Sequence, residues 1–342
     1  MTNVLRVAVV GATGYTGSEL TAILARHPRT EIAALFSGPS GERVAFSALH
    51  PSLRGARGPE VVPFEADALR EAGADLVLLA TPNETSARLA PSILAFGAKV
   101  IDLSGAFRLR DASAYPSWYG FDHPAPELLA EAVYGLTEHC NGELAGARLV
   151  ANPGCYPTAT LLALLPIVDL VEPSQTIVCD VKSGVSGAGK KRDLDYSFAE
   201  LSGNFKAYGI GRHRHEPEIR AGLGLAASAP LVFVPHLLPT TRGILATLYV
   251  SFAEPQSEAS ILARFEAAYA DSALVQVHSA GTLPELRHVV GTPRAEIGFA
   301  LLDGGRRAVV VSVIDNLLKG AASQAVQNLN RMHQFEEKEG LA

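Results

Sequence analysis

The sequence predicts an α/β protein: a doubly wound domain on a parallel sheet, then a second domain built on a mixed or antiparallel sheet. Three observations carry that reading. Between residues 5 and 103, near-continuous apolar runs alternate with stretches of helical spacing, and strands that are apolar throughout are those covered by helices on both faces. A glycine-rich turn joins the first apolar run to the first helical stretch. Beyond residue 151, several strand-like runs follow one another with no convincing helix between them, a pattern of antiparallel pairing.

Taken in order, Leu5–Val10 reads as the first buried strand and Ser18–Arg26 as the first helix. Glu31–Phe36 is a second strand, ending on the turn Ser37-Gly38-Pro39-Ser40-Gly41. Asp75–Ala80 and Lys99–Leu103 are further strands, with Glu84–Phe96 as the helix between them. Residues 1–151 therefore read as a nucleotide-binding domain. In the second domain, 152–315, the helical run Thr158–Leu165 leads to the strand Thr176–Val181 and the glycine-rich loop Ser183–Gly189. Leu231–Pro235, Leu245–Phe252, Ala295–Leu302 and Ala308–Ile314 are later strands. A last helix, Leu317–Met332, carries Gly320, Ala321, Ala322 and Ala325, small residues suited to close packing. It is expected to return to the first domain over about 316–333, and the charged tail from Gln334 is expected to fray.

Composition narrows the function. The 342 residues are 48% hydrophobic and 19% charged, which excludes a mainly disordered chain. A net charge of −6 favours neither nucleic acid nor an anionic membrane surface, since both attract basic patches. The basic run Lys190-Lys191-Arg192 suits at most a small anion. No apolar run reaches the roughly 18 residues that span a bilayer, and the start lacks a signal-peptide pattern. Cys140, Cys155 and Cys179 are widely spaced and fit neither a disulfide framework nor a zinc motif, so the cytoplasm is the expected setting.

Gly11-Ala-Thr-Gly14-Tyr-Thr-Gly17 lies between the first strand and first helix. Glycines there allow a tight turn and bring backbone N–H groups to a pyrophosphate at a helix N-terminus. The next strand ends Leu35-Phe36-Ser37-Gly38, without the acidic residue that holds a ribose 2′-hydroxyl. Ser37, with Arg43 near it in sequence, suits a 2′-phosphate, so NADP is preferred over NAD.

Asn152-Pro153-Gly154-Cys155-Tyr156-Pro157-Thr158 precedes an apolar helix. Proline belongs in a first helical turn, so Cys155 falls at a helix N-terminus, where the dipole and N–H groups stabilise a thiolate. Glycine before it and proline shortly after suggest an exposed elbow rather than a packing site. Cys140 and Cys179 read as structural. His213-Arg-His215-Glu-Pro-Glu218 offers the acid/base that a thiolate enzyme needs. A zinc site there lacks further ligands.

These residues, with other motifs in the same order, resemble the N-acetyl-gamma-glutamyl-phosphate reductase family of arginine biosynthesis. The additional motifs are HPSLRG at 50–55, FRL at 107–109, KSGVSGAGK at 182–190, PHLLPTTRGIL at 235–245 and DNLLKGAASQAVQN at 315–328. The resemblance implies a Rossmann-type NADP domain and an α+β catalytic domain shared with aspartate-semialdehyde and glyceraldehyde-3-phosphate dehydrogenases. It implies an acyl-phosphate substrate, Cys155 as nucleophile and His215 as acid/base. It assigns Arg108, Asn152, Ser183, His213 and Glu218 to the substrate. To the cofactor it assigns Gly11, Thr13, Gly14, Tyr15, Thr16, Gly17, Ser37, Pro82, Ser186, Gly187 and Asn316. No metal is implied, and a homo-oligomer, dimer or tetramer, is expected. Three rivals remain: a reductase of carrier-linked aminoadipyl phosphate in lysine biosynthesis, an aspartate-semialdehyde dehydrogenase, and an NADP-binding regulatory protein without chemistry.

Overall fold

A computed structural model describes residues 4–140, 142–190 and 194–341. Its contacts divide it into two units: the described residues up to Pro153 together with those from Ala321 onward, and Gly154–Gly320.

In the first unit all paired strands of the sheet are parallel. They are β1 (Leu5–Val10), β2 (Thr30–Phe36), β3 (Val61–Val62), β4 (Leu76–Leu79), β5 (Lys99–Asp102), β6 (Val133–Tyr134) and β7 (Leu149–Ala151), in the order β3-β2-β1-β4-β5-β7-β6. The residues of β4 are all buried, as are those of β1 from Val7 on, because helices cover both faces. The doubly wound expectation thus holds. Sequence periodicity missed β3, β6 and β7, since two or three residues are too few to show a period.

The last helix enters through a π segment, Leu318–Ala322, and continues as Ser323–Met332, packed on the first helix, Tyr15–Leu24. Of the four small residues expected to pack closely, Gly320, Ala322 and Ala325 are buried and Ala321 is half-buried, but Gln324, Gln327, Asn328 and Asn330 are fully buried as well. Buried amides are tolerable only when bonded. Asn328 Nδ2 donates to Gly135 O (2.8 Å) and Asn152 Oδ1 (3.0 Å), and its Oδ1 accepts from Thr137 Oγ1 (2.7 Å). The fray expected of the tail is corrected. Asn330 Nδ2 donates to Glu337 O (3.0 Å) and Glu339 O (2.9 Å), Arg29 lies 4.4 Å over the Phe335 ring, and Leu341 is buried. Charge along the tail describes its side chains; its backbone carbonyls are what the buried amide holds.

Burial, aided by Lys99, pushes the His333 imidazole down to about 4, and burial also lowers His27. Both rings are then harder to protonate in the fold than in the unfolded chain. That stability is present above the ordinary histidine pKa of about 6.5 and is lost as pH falls toward 4. The melting temperature is accordingly expected to drop across that window. His333→Asn should flatten this acid limb by a few degrees, measurable by calorimetry against pH.

The second unit holds a mixed sheet. Its strands are β8 (Ile177–Ser183), β9 (Lys206–Ala207), β10 (Leu231–Leu237), β11 (Ile244–Ser251), β12 (Val275–Val277), β13 (Ala295–Leu302) and β14 (Arg307–Ile314). The order is β12-β13-β14-β11-β8-β10-β9, with β8/β10 and β12/β13 parallel and the other pairs antiparallel. The helix Cys155–Leu164 lies on β11 and β14 and against a second helix, His215–Gly222. After Cys155 every residue of that first helix is buried, so it has no solvent face to give it an amphipathic pattern. A helix the sequence reading did not find, Glu258–Tyr269, is capped by Ser257 Oγ accepting the Ser260 N–H (3.1 Å). Its signal was a capping serine before Ile261, Phe265 and Tyr269, one buried residue per turn. No helix among the described residues is long and apolar enough to cross a membrane.

Candidate active site

In the first unit the glycine turn is built by backbone demands. Gly11 has φ +90°, and a Cβ on it would lie 2.3 Å from Ala80 O; its N–H and that of Ala12 both donate to Phe36 O (2.8 and 2.9 Å). A Cβ on Gly17 would lie 2.2 Å from Gly11 O, so the helix start closes directly onto the turn. Gly14 is the extended N-cap and brings no capping side chain, which suits a helix end that receives phosphate. Thr13 and Thr16 are half-buried, while Tyr15 and Pro82 are exposed at the starts of their helices. Ser37 is buried, and its hydroxyl donates to Gly38 O and Val62 O (both 3.3 Å). Arg43 pairs with Glu60 (2.8 Å).

At the far end of the same sheet, Asn152 is fully buried. Its Oδ1 accepts from Asn328 and its Nδ2 donates to Ala321 O (3.3 Å). The half-buried Arg108 donates from Nε to Asn152 O and from Nη2 to Leu103 O (both 2.9 Å). The turn that delivers it is held by Asp102, whose carboxylate accepts the Ser104 N–H (3.1 Å) and Oγ–H (2.8 Å). Burial pushes the Asp102 carboxyl upward.

The three cysteines differ in environment: Cys140 belongs to the first unit, Cys155 and Cys179 to the second. Cys140 and Cys179 are buried, and burial raises the Cys179 thiol to about 12. Cys155 is half-buried rather than exposed, and it is the first residue of its helix, with Pro157 in the first turn. The expected elbow is thus partly covered, because the helix it opens is buried. Gly154, the extended N-cap, donates its N–H to Glu218 Oε1 (2.8 Å). Glu218 and His215 are both buried on the first turn of their helix, three residues apart and so on one face. Glu218 therefore clamps the cap of the Cys155 helix to the helix His215–Gly222.

Aromatic rings fill the space around this clamp. The Tyr156 ring lies 5.5 Å from His213, 5.6 Å from His215 and 5.5 Å from Phe233. His213 and His215 are 4.8 Å apart, and His213 Nδ1 accepts the His215 N–H (3.2 Å). Burial, then Arg214, lowers His213 to about 4. Tyr156 and Tyr208 share a hydroxyl–hydroxyl bond of 2.7 Å, and burial raises both phenols, Tyr208 to about 12. Sequence reasoning missed this phenol pair, for no spacing rule links residues 156 and 208. Among the described residues no group of three or more His, Cys, Asp or Glu side chains is arranged to hold a metal.

The glycine-rich loop after β8 forms a short 3-10 turn, Val185–Ala188. Ser183 is buried at its start and Gly187 is exposed. Asn316 is buried, donating from Nδ2 to Ser186 Oγ (2.9 Å) and accepting the Gly243 N–H at Oδ1 (2.8 Å). It ties the loop to the chain leaving β14. Lys190 is exposed; Lys191 and Arg192 lie outside the described residues.

Residues 6–147 match the family model described as semialdehyde dehydrogenase, NAD binding domain, and residues 155–316 match the one described as semialdehyde dehydrogenase, dimerisation domain. The N-acetyl-gamma-glutamyl-phosphate reductase of Halorhodospira halophila is 48% identical, and that of Laribacter hongkongensis 46%, each over 98% of both chains. The chain belongs to the N-acetyl-gamma-glutamyl-phosphate reductase family. The Pseudomonas putida reductase numbered 1 is also 46% identical, over 99% of this chain and 98% of its own. Among solved structures, aspartate semialdehyde dehydrogenase II of Vibrio cholerae complexed with ASA shares the fold with a TM-score of 0.71. It is 18% identical, over 97% of this chain and 99% of that one. The Candida albicans aspartate semialdehyde dehydrogenase with NADP has a TM-score of 0.67 at 16% identity, over 97% and 99%. The semialdehyde dehydrogenase architecture is thus common to both groups, while the extended sequence identity is to the reductase family.

Proposed function

We propose that the chain reduces N-acetyl-gamma-glutamyl phosphate to N-acetylglutamate 5-semialdehyde and phosphate with NADPH, in arginine biosynthesis, through a thioester on Cys155. The observation that carries this is the half-buried Cys155 opening a buried helix, its cap held by Glu218 one turn from His215.

The helix N-terminus favours the Cys155 thiolate. Its sulfur attacks the acyl carbon, and phosphate leaves with the C–O electron pair, taking a proton from water. Covalent catalysis thus divides the reduction into two easier steps. Because the Gly154 N–H is committed to Glu218, the developing oxyanion falls to the amides of the helix's first turn. What a bound nicotinamide nucleotide supplies is a hydride, delivered to the thioester carbon. His213, held near 4, serves as a neutral ring at physiological pH; His215, buried on the helix that clamps the Cys155 cap, is assigned the proton for the oxygen. His215 takes it back as the C–S bond breaks and the semialdehyde departs. Arg108 supplies a guanidinium suited to a carboxylate or phosphate.

The nucleotide fits the turn at Gly11, Gly14 and Gly17, where added Cβ atoms would fill the space that the turn needs at Gly11 and Gly17. The absence of an acidic residue after Phe36 supports NADP over NAD. A homo-oligomer is the proposed assembly, in keeping with Val232 and Tyr249 left exposed on β10 and β11, and the cytoplasm the proposed compartment. An assay offering N-acetylglutamate semialdehyde, phosphate and NADP tests the reading, against aspartate and glutamate semialdehydes and against NAD. Preference for a semialdehyde without the acetyl group would overturn the substrate; indifference between NAD and NADP would overturn the cofactor.

A further inference from the structure

The last helix opens on one wide turn, and that turn ends against the nucleophile. Gly320 donates its N–H to Asp315 O (2.9 Å), an i to i−5 bond, within the π segment Leu318–Ala322. Single π turns of this kind recur at functional sites. This one is anchored before it begins. Asp315 is fully buried; its Oδ1 accepts the N–H groups of Leu317 (2.8 Å) and Leu318 (3.1 Å). Its Oδ2 accepts the Gly291 N–H (2.8 Å) and pairs with Arg242 (3.2 Å). Asn316 adds its bonds to Ser186 and Gly243. The wide turn therefore has little freedom to shift.

What it presents is a bare Cα. A Cβ on Gly320 would lie 2.8 Å from Cys155 Cβ, 3.2 Å from Cys155 Cα and 3.3 Å from Asp315 O. Carbon atoms pack at about 3.5–4.0 Å, so one added methyl must displace Cys155 or the turn. The glycine has no positive φ to explain it; close approach to Cys155 does.

We infer that Gly320 is a positioning residue for the reaction: the π turn brings its bare Cα against Cys155 and so fixes the direction of the Cys155 Cα–Cβ bond and of the sulfur. The inference rests on Cys155 being the nucleophile. The helix behind Cys155 is buried and its cap is clamped by Glu218, so the strain of an added methyl falls on the cysteine itself. A misplacement of about 1 Å at a reacting group can cost roughly 100-fold in rate.

Gly320→Ala is expected to lower kcat by about 10- to 100-fold, with the NADPH KM within about twofold. It should also shift the pH profile of Cys155 alkylation by iodoacetamide. Ala325→Gly weakens the same helix without adding an atom; it should lower the melting temperature and leave the alkylation profile unmoved. If Gly320→Ala does not fold, adding Cys155→Gly, which removes the opposing Cβ, should restore folded protein. Wild-type kcat and alkylation in Gly320→Ala would overturn the inference, as would failure of Cys155→Gly to restore folding. An active Cys155→Ser enzyme would instead overturn the nucleophile, a separate failure.

Discussion

Cys155→Ser is expected to give a folded protein that binds NADPH with unchanged affinity and turns over at least about 1,000-fold more slowly. The two side chains differ by one atom, and Cys155 is only half-buried, so packing changes little. What changes is ionisation. A thiol lies within reach of the stabilisation that a helix N-terminus gives an anion, whereas a serine hydroxyl does not. The other two thiols offer no substitute: Cys179 is buried with its thiol raised to about 12, and the buried Cys140 donates to the Tyr134 and Leu136 carbonyls (both 3.2 Å). NADPH consumption measured beside nucleotide titration checks this. Retained activity would remove the cysteine from the reaction.

Gly11→Ala has the second large effect, and on a different step. Its φ of +90° disfavours any L side chain, and the added Cβ would stand 2.3 Å from Ala80 O. Neither problem relaxes easily, because the Gly11 and Ala12 N–H groups are both bonded to Phe36 O at the edge of a buried parallel sheet. A loss of about 3 kcal/mol or more is expected, together with a rise in NADPH Kd of at least about 100-fold as the phosphate cradle opens. Gly14→Ala is the control. Gly14 has an ordinary φ of −68°, and its Cβ would meet Gly11 O at 3.5 Å, an ordinary contact. It should melt close to the parent. Equal losses in the two variants would show that the turn does not depend on Gly11's backbone.

The long elements were legible because burial writes them in composition. β1, β2, β4 and β5 are apolar runs, and so are β13 and β14. Cys155 was legible too, since glycine before it and proline after it mark a helix start. Its cover was not. The helix Cys155–Leu164 buries all sides, and nothing local reveals that the residue opening it is half-hidden. The family resemblance assigns Glu218 to the substrate; the carboxylate's bond to the Gly154 N–H joins residues far apart in sequence and leaves no local sign. Asn152 is expected to meet substrate through the family resemblance, and nothing in the sequence marks its fully buried bond to Asn328. The π turn at Leu318–Ala322 has no residue signature of its own; it follows from the anchoring of Asp315.

The covalent step is tested most directly without nicotinamide nucleotide. Enzyme mixed with N-acetyl-gamma-glutamyl phosphate and quenched in acid should release one phosphate per active chain. It should carry one N-acetylglutamyl group on the peptide containing Cys155, seen by mass spectrometry, and NADPH added before the quench should discharge it. Phosphate release with Cys155 unmodified, or an acyl group on Cys140 or Cys179 instead, would contradict the account.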